Sequence, residues 1–255
     1  MPHLIYLYAL SDFPEQINQA PVFKAYPHLY MYSTTVPEDE FGEEALKKNL
    51  TDTVWVERVI RDHERVVSSA LERGTVIPFR FPTLFATEQN YLSFLLKNEK
   101  NLRFLHDRLK GCTEWGLKVY ANTQAIENAI LKDSRMIEIS EEISRSNSGK
   151  AFLLTKKKMD LQKDILKEKI NQALGDMLGE LRISSRDFKA NGVHPKEATG
   201  REDEMVMNLA FLIHKDQRQE YVSKVFHWKE KLEMNGIHLE PSGPWAPYNF
   251  CDIQQ

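Results

Sequence analysis

Cys112-Thr113-Glu114-Trp115-Gly116-Leu117-Lys118-Val119-Tyr120-Ala121 is the stretch on which the fold turns. From Glu114 onward the side chains alternate: Trp115, Leu117, Val119 and Ala121 share one face, and Lys118 and Tyr120 take the other. A period of two is the mark of a half-buried strand, because successive side chains leave opposite faces of the pleat. The helical patterns before it close at Gly74 and Gly111, so this strand opens a second series of elements.

Downstream, the polar residues 140–150 precede a long helix whose Leu161, Ile165, Leu166, Ile170, Leu174, Met177 and Leu178 lie on one face. Residues 183–189 read as a weakly patterned strand, and the Gly-containing, charged residues 191–204 as a loop. The near-continuous apolar run at 205–213 is the best candidate for a central strand. Asp216 can cap a last helix carrying Tyr221, Val222, Val225, Phe226 and Leu232; Gly236 closes it, and Ile237-His238-Leu239 is a final strand. The order strand, helix, strand, strand, helix, strand is ferredoxin-like, βαββαβ.

Upstream the pattern is looser. Residues 4–10 and 28–34 read as strands. Asp52 or Thr51 can cap a helix whose Trp55, Val59, Ile60, His63, Val66, Val67 and Ala70 recur at three-four spacing. Residues 76–81 follow as a strand that Pro78 confines to an edge or a bulge. Thr87 can cap the next helix, with Tyr91, Leu92, Leu95, Leu96, Leu102, Leu105 and Leu109 as its apolar stripe. The expectation is an α+β chain of two domains, 1–111 and 112–255, each an antiparallel sheet with helices on one face. The second is ferredoxin-like and carries the aromatic, Pro-rich tail; the first is a modified variant.

Composition fits two domains of about 125 residues each. The chain has 255 residues, 42% hydrophobic and 28% charged, with a net charge of −3. That balance gives no reason to expect nucleic acid, which calls for a basic face. The run Lys156-Lys157-Lys158 reads as a solvated helix flank. Cys112 and Cys251, far apart and with no secretory signal at Met1-Pro2-His3-Leu4-Ile5, read as reduced thiols of a cytosolic protein. No apolar run nears the roughly 20 residues that span a bilayer.

Chemistry-bearing patterns fail one by one. His63-Glu64 suggests a metalloprotease helix, but Val67 stands where the second histidine belongs. His63 therefore reads as a buried core histidine. Ser148-Gly149-Lys150 lacks the upstream glycine of a phosphate loop and reads as a polar turn before a helix. Glu57, Asp62, Glu64 and Glu72 alternate with Arg58, Arg61, Arg65 and Arg73, as on a solvated helix face. No catalytic, cofactor or metal site is expected.

Two aromatic segments remain. In Val76-Ile77-Pro78-Phe79-Arg80-Phe81-Pro82-Thr83-Leu84-Phe85, Arg80 faces away from its aromatic neighbours, toward either a carboxylate across the sheet or a partner. The other segment is Pro241-Ser242-Gly243-Pro244-Trp245-Ala246-Pro247-Tyr248-Asn249-Phe250. It is too rich in proline for a helix and too aromatic for a disordered end. Either it folds back on the sheet of the second domain, which is the expected course, or it docks a partner. Arg80, Phe81, Trp245 and Tyr248 are the candidate partner-binding residues.

Six segments in register resemble the GvpF/GvpL family of gas vesicle proteins. They are Leu4-Ile5-Tyr6-Leu7-Tyr8, the helix from Trp55-Val56-Glu57 to Val67, residues 76–85, Glu114-Trp115-Gly116-Leu117-Lys118-Val119-Tyr120, Ser148-Gly149-Lys150-Ala151-Phe152-Leu153-Leu154, and residues 242–250. Pro82 departs from the glycine expected after the Phe-Arg-Phe core. The resemblance implies an accessory protein of gas vesicle assembly in the cytoplasm, engaging the small shell protein GvpA and other accessory proteins. It also implies two domains related to the ferredoxin-like fold and no catalysis, cofactor or membrane. The rival readings are a regulatory module that senses a small ligand, and an enzyme with a dispersed site.

Overall fold

The computed structural model describes residues 2–18, 20–122, 126 and 130–253. Two compact units divide the chain: Met1–Glu114 with Gly243–Gln255, and Trp115–Ser242.

The first unit holds strands β1 (His3–Ser11), β2 (Val22–Tyr26), β3 (Leu29–Pro37) and β4 (Val76–Phe85), antiparallel in the order β2-β3-β1-β4. Strand β2 is additional to the expected elements, as are the short helices α1 (Glu38–Phe41) and α2 (Glu43–Asn49). Helix α3 (Thr53–Leu71) begins where Asp52 accepts hydrogen bonds from the amides of Val54 and Trp55. Its buried side, Trp55, Val59, His63, Val66, Val67 and Ala70, follows the apolar stripe read from the sequence, except that Ile60 is exposed. Helix α4 (Glu88–Leu109) is capped by Thr87, as expected.

The expected one-sided cover needs amendment in this unit. Tyr6 and Leu84 are opposite each other in the sheet and pack with Trp55 and Val59 of α3. Their neighbours Ile5 and Phe85 point the other way, and Phe85 meets Tyr91 and Phe94 of α4. Helices thus lie on both faces. Both devices anticipated from Pro78 are present: β4 is an edge strand, and its register with β1 shifts between Pro78 and Thr83.

The second unit holds β5 (Cys112–Ala121), β6 (Asp187–Ala190), β7 (Glu204–His214) and β8 (Ile237–Trp245), antiparallel in the order β6-β7-β5-β8. This is the ferredoxin-like order, with the apolar run of β7 inside the sheet. Trp115, Leu117, Val119 and Ala121 join Leu209, Phe211, Ile213, Ile237 and Leu239 in one core. Among the described residues the unit also holds helices α5 (Ser134–Ser144), α6 (Ser148–Ile183), α7 (Lys196–Thr199) and α8 (Arg218–Glu233). Asn147 caps α6 by accepting from the Lys150 amide, so the polar turn read at Ser148-Gly149-Lys150 is the first turn of the helix. Its 36 residues span about 54 Å. The C-terminal part buries Ile165, Leu174, Met177 and Leu181 in the core, while the N-terminal part pairs with α5.

Candidate partner-binding surface

Beyond Trp245 the tail packs on the first unit, not on the sheet of the second as the sequence suggested. Small Ala246 enters the cluster of Ala9, Tyr32, Val66, Val67, Ala70 and Val76, and Phe250 is 1% exposed. Asn249 donates to the buried carboxylate of Glu114 through its amide (2.8 Å) and its side chain (2.6 Å). The side chain of Asn101 donates to the Asp252 carbonyl (3.2 Å). The reason is polar pairing at fixed spacing: residues 246–250 match a cluster and a carboxylate that this unit presents.

Tyr248 closes a chain of hydrogen bonds. Its hydroxyl donates to Glu64 Oε1 (2.7 Å) and lies 3.1 Å from His63 Nε2, while His63 Nδ1 lies 2.8 Å from the Tyr6 hydroxyl. A phenol has one proton, and Tyr248 gives it to Glu64. His63 Nε2 therefore donates to Tyr248, and Nδ1 accepts from Tyr6. Burial pushes His63 down to about 4, only partly opposed by a hydrogen bond with the Phe79 backbone. Burial also raises both phenols above their ordinary range, with Glu64 adding to the effect. Neutral His63, enclosed by two neutral phenols, is the buried core histidine read from the sequence; here it fastens the tail.

The four sequence candidates divide. Phe81 packs among Tyr6, Trp55 and His63, at 6.4–6.5 Å between ring centres. Phe79 meets Phe94 of α4 on the opposite face. The register shift explains this, since plain alternation would have put both aromatics on one side. Tyr248 is engaged by His63 and Glu64. Arg80 is exposed and makes no ion pair among the described residues, so the anticipated salt bridge is not formed. It lines a cleft of about 500 Å³ with Pro78, Pro82, Asp252 and Ile253. Trp245 is 51% exposed.

A second surface went unread in the sequence. A groove of about 450 Å³ runs between β2 and α4, lined by Ile5, Phe23, Lys24, Tyr91, Leu92 and Leu95. Phe23 is 53% and Leu92 47% exposed, and Leu96 is exposed one turn further along. The Tyr26 hydroxyl, donating to the Leu95 carbonyl (2.6 Å), holds the helix against the strand. The signal was present: a stripe containing Leu92 and Leu96 beside Tyr91 and Leu95 is too wide for one buried face.

Among the described residues, no three of His, Cys, Asp and Glu converge as metal ligands. Nor is any helix among them long and apolar enough to cross a membrane.

The family model described as gas vesicle synthesis protein GvpL/GvpF matches residues 4–252. The chain is 26% identical over 241 residues to gas vesicle protein L of Streptomyces sp. (strain CB03234), covering 93% of this chain and 85% of that one. Its fold is similar to the crystal structure of the gas vesicle protein GvpF from Anabaena sp. PCC7120, with TM-score 0.69, 17% identity and 99% and 98% of the two chains covered. It is also similar to GvpF from Microcystis aeruginosa, with TM-score 0.64, 16% identity and 99% and 100% covered.

Proposed function

Because the chain belongs to the gas vesicle synthesis GvpL/GvpF family, we propose that it is an accessory assembly protein that binds the small shell protein GvpA in the cytoplasm as vesicles form. The family match over nearly the whole chain carries this reading. Phe23 and Leu92, both exposed on one apolar groove, support it, since contiguous exposed apolar surface marks interaction sites. A shell subunit exposes apolar faces before it assembles, and its escort needs complementary ones. The role requires no catalysis: binding alone alters the solubility of the subunit.

A pull-down of GvpA with the purified chain tests it. Binding through apolar and aromatic surface survives about 0.5 M salt, where the Debye length is about 4 Å. A complex lost under that salt would show that charge dominates. Failure to retain GvpA at any salt would overturn the reading.

A further inference from the structure

Glycine follows asparagine twice in this chain, at Asn191-Gly192 and at Asn235-Gly236. Such a pair is chemically unstable wherever the glycine nitrogen can reach the asparagine side chain, because glycine has no Cβ to obstruct the approach. The two pairs stand in opposite surroundings. Asn235 and Gly236 form the turn that follows helix α8. The Asn235 side chain donates to the Lys231 carbonyl (3.1 Å), and the Gly236 amide donates to the Glu233 carbonyl (3.1 Å). Gly236 is buried at a φ of 73°, and its carbonyl accepts from the Asn122 amide (2.8 Å). Both reacting groups are tied.

Asn191 and Gly192 instead leave β6, an outer strand of its sheet. The Asn191 amide donates inward to the Asn208 carbonyl (2.7 Å). Donors alternate along an antiparallel ladder, so the Gly192 amide is turned to the open side. Neither that amide nor the Asn191 side chain makes a hydrogen bond among the described residues. Gly192 is exposed, and beyond its chain neighbours no atom lies within 4 Å of the place a Cβ would take. We propose that Asn191 is a site of deamidation and isomerisation, and that Asn235 is protected from both. The Gly192 nitrogen bonds to the side-chain carbonyl carbon of Asn191. The bond from that carbon to the amide nitrogen breaks, and ammonia leaves with the proton that the Gly192 nitrogen gave up. Water then opens the cyclic imide at one carbonyl to give aspartate, or at the other to give isoaspartate. Isoaspartate routes the main chain through the side chain and lengthens it by a methylene group. Asn208 holds the Asn191 amide and, through its own side chain, the Gly192 carbonyl (3.0 Å), a spacing set by the ordinary main chain. Isoaspartate therefore unties the end of β6 from β7. The inference is independent of the role in assembly.

The test holds the purified full chain in warm, mildly alkaline water enriched in heavy oxygen and follows every asparagine by peptide mass spectrometry. Conversion at Asn191 should outpace that at Asn235 about tenfold, the ratio that about 1.4 kcal/mol of barrier sets and that one lost hydrogen bond supplies. The product at 191 should carry heavy oxygen and separate into two forms of equal mass, aspartate and isoaspartate. Gly192→Ala, which the open space around Gly192 accommodates, should slow the conversion and leave the melting curve in place. Equal conversion at the two sites would overturn the proposal, as would an Asn191 that persists as long as asparagines not followed by glycine. A folded Gly192→Ala variant that converts at the wild-type rate would overturn the attack by the Gly192 nitrogen and the proposal with it.

Discussion

The first sheet passes from β1 to β2 through residues 12–21, and the second passes from β5 to β6 by way of the long helix α6, yet both arrive at the same strand order. In the second unit the crossover brings its own apolar face, and Ile165, Leu174, Met177 and Leu181 complete the core. In the first, the crossover is held by polar contacts. The Tyr32 hydroxyl shares its one proton between the carbonyls of Phe13 (2.7 Å) and Glu15 (2.9 Å), and Asp12 accepts from the Thr75 amide. Ile17 and Ala20 of the crossover, with Ala246 of the tail, fill the cluster beside α3. Strand order is thus indifferent to what covers the sheet, but stability is not. The unit without a crossover helix borrows its cover from the far end of the chain.

If that contrast is right, the tail is structural for the first unit alone. Phe250→Ala should cost about 3–5 kcal/mol, the range for a fully buried phenylalanine. Thermal melts should show the loss in the first unit and spare the second; a uniform shift of both would break the comparison. Acid sharpens it next. His63 binds its proton near 4 in the fold against an ordinary 6.5, so the unfolded chain takes up the proton first as pH falls. Its contribution is complete above pH 6.5 and is lost between there and about 4, an effect of about 3 kcal/mol. His63→Gln should flatten this part of the pH–stability curve, and a curve of unchanged slope would remove His63 from the account. Tyr32→Phe, which unties the crossover at two carbonyls, should cost about 1–3 kcal/mol. Equal stability would mean that the apolar fill of Ile17 and Ala20 suffices. The smallest effect belongs to Trp245→Ala, at most about 1.5 kcal/mol for a half-exposed ring, since burying a whole side chain contributes about 1.5–3. A loss like that of Phe250→Ala would place Trp245 in the core after all.

The second unit was the easier to read because its signals are local and periodic. The alternation at 115–121 and the apolar run inside β7 each report a burial pattern within one element. Asp52, Thr87 and Gly236 likewise punctuate the chain through their own backbone demands. Strand β2 escaped because Phe23-Lys24-Ala25 is short and its flanking prolines read as loop. Helix α5 escaped because Arg135, Glu138, Glu141 and Glu142 mask the inward pair Met136 and Ile139. The destination of the tail was not available from periodicity at all. It depends on Glu64 and Glu114 meeting Tyr248 and Asn249, partners more than a hundred residues apart. Of the four candidate residues, Phe81 is turned toward Tyr6, Trp55 and His63 by the register shift in β4, which no single-residue signal announces.

The first unit is finished late. Its cluster of Ala9, Tyr32, Val66, Val67, Ala70 and Val76 takes in Ala246, and the carboxylate of Glu114 takes in Asn249. A chain synthesised from its N-terminus therefore carries this unit incomplete while the whole of the second unit is being made, and closes it only after residue 245 has been added.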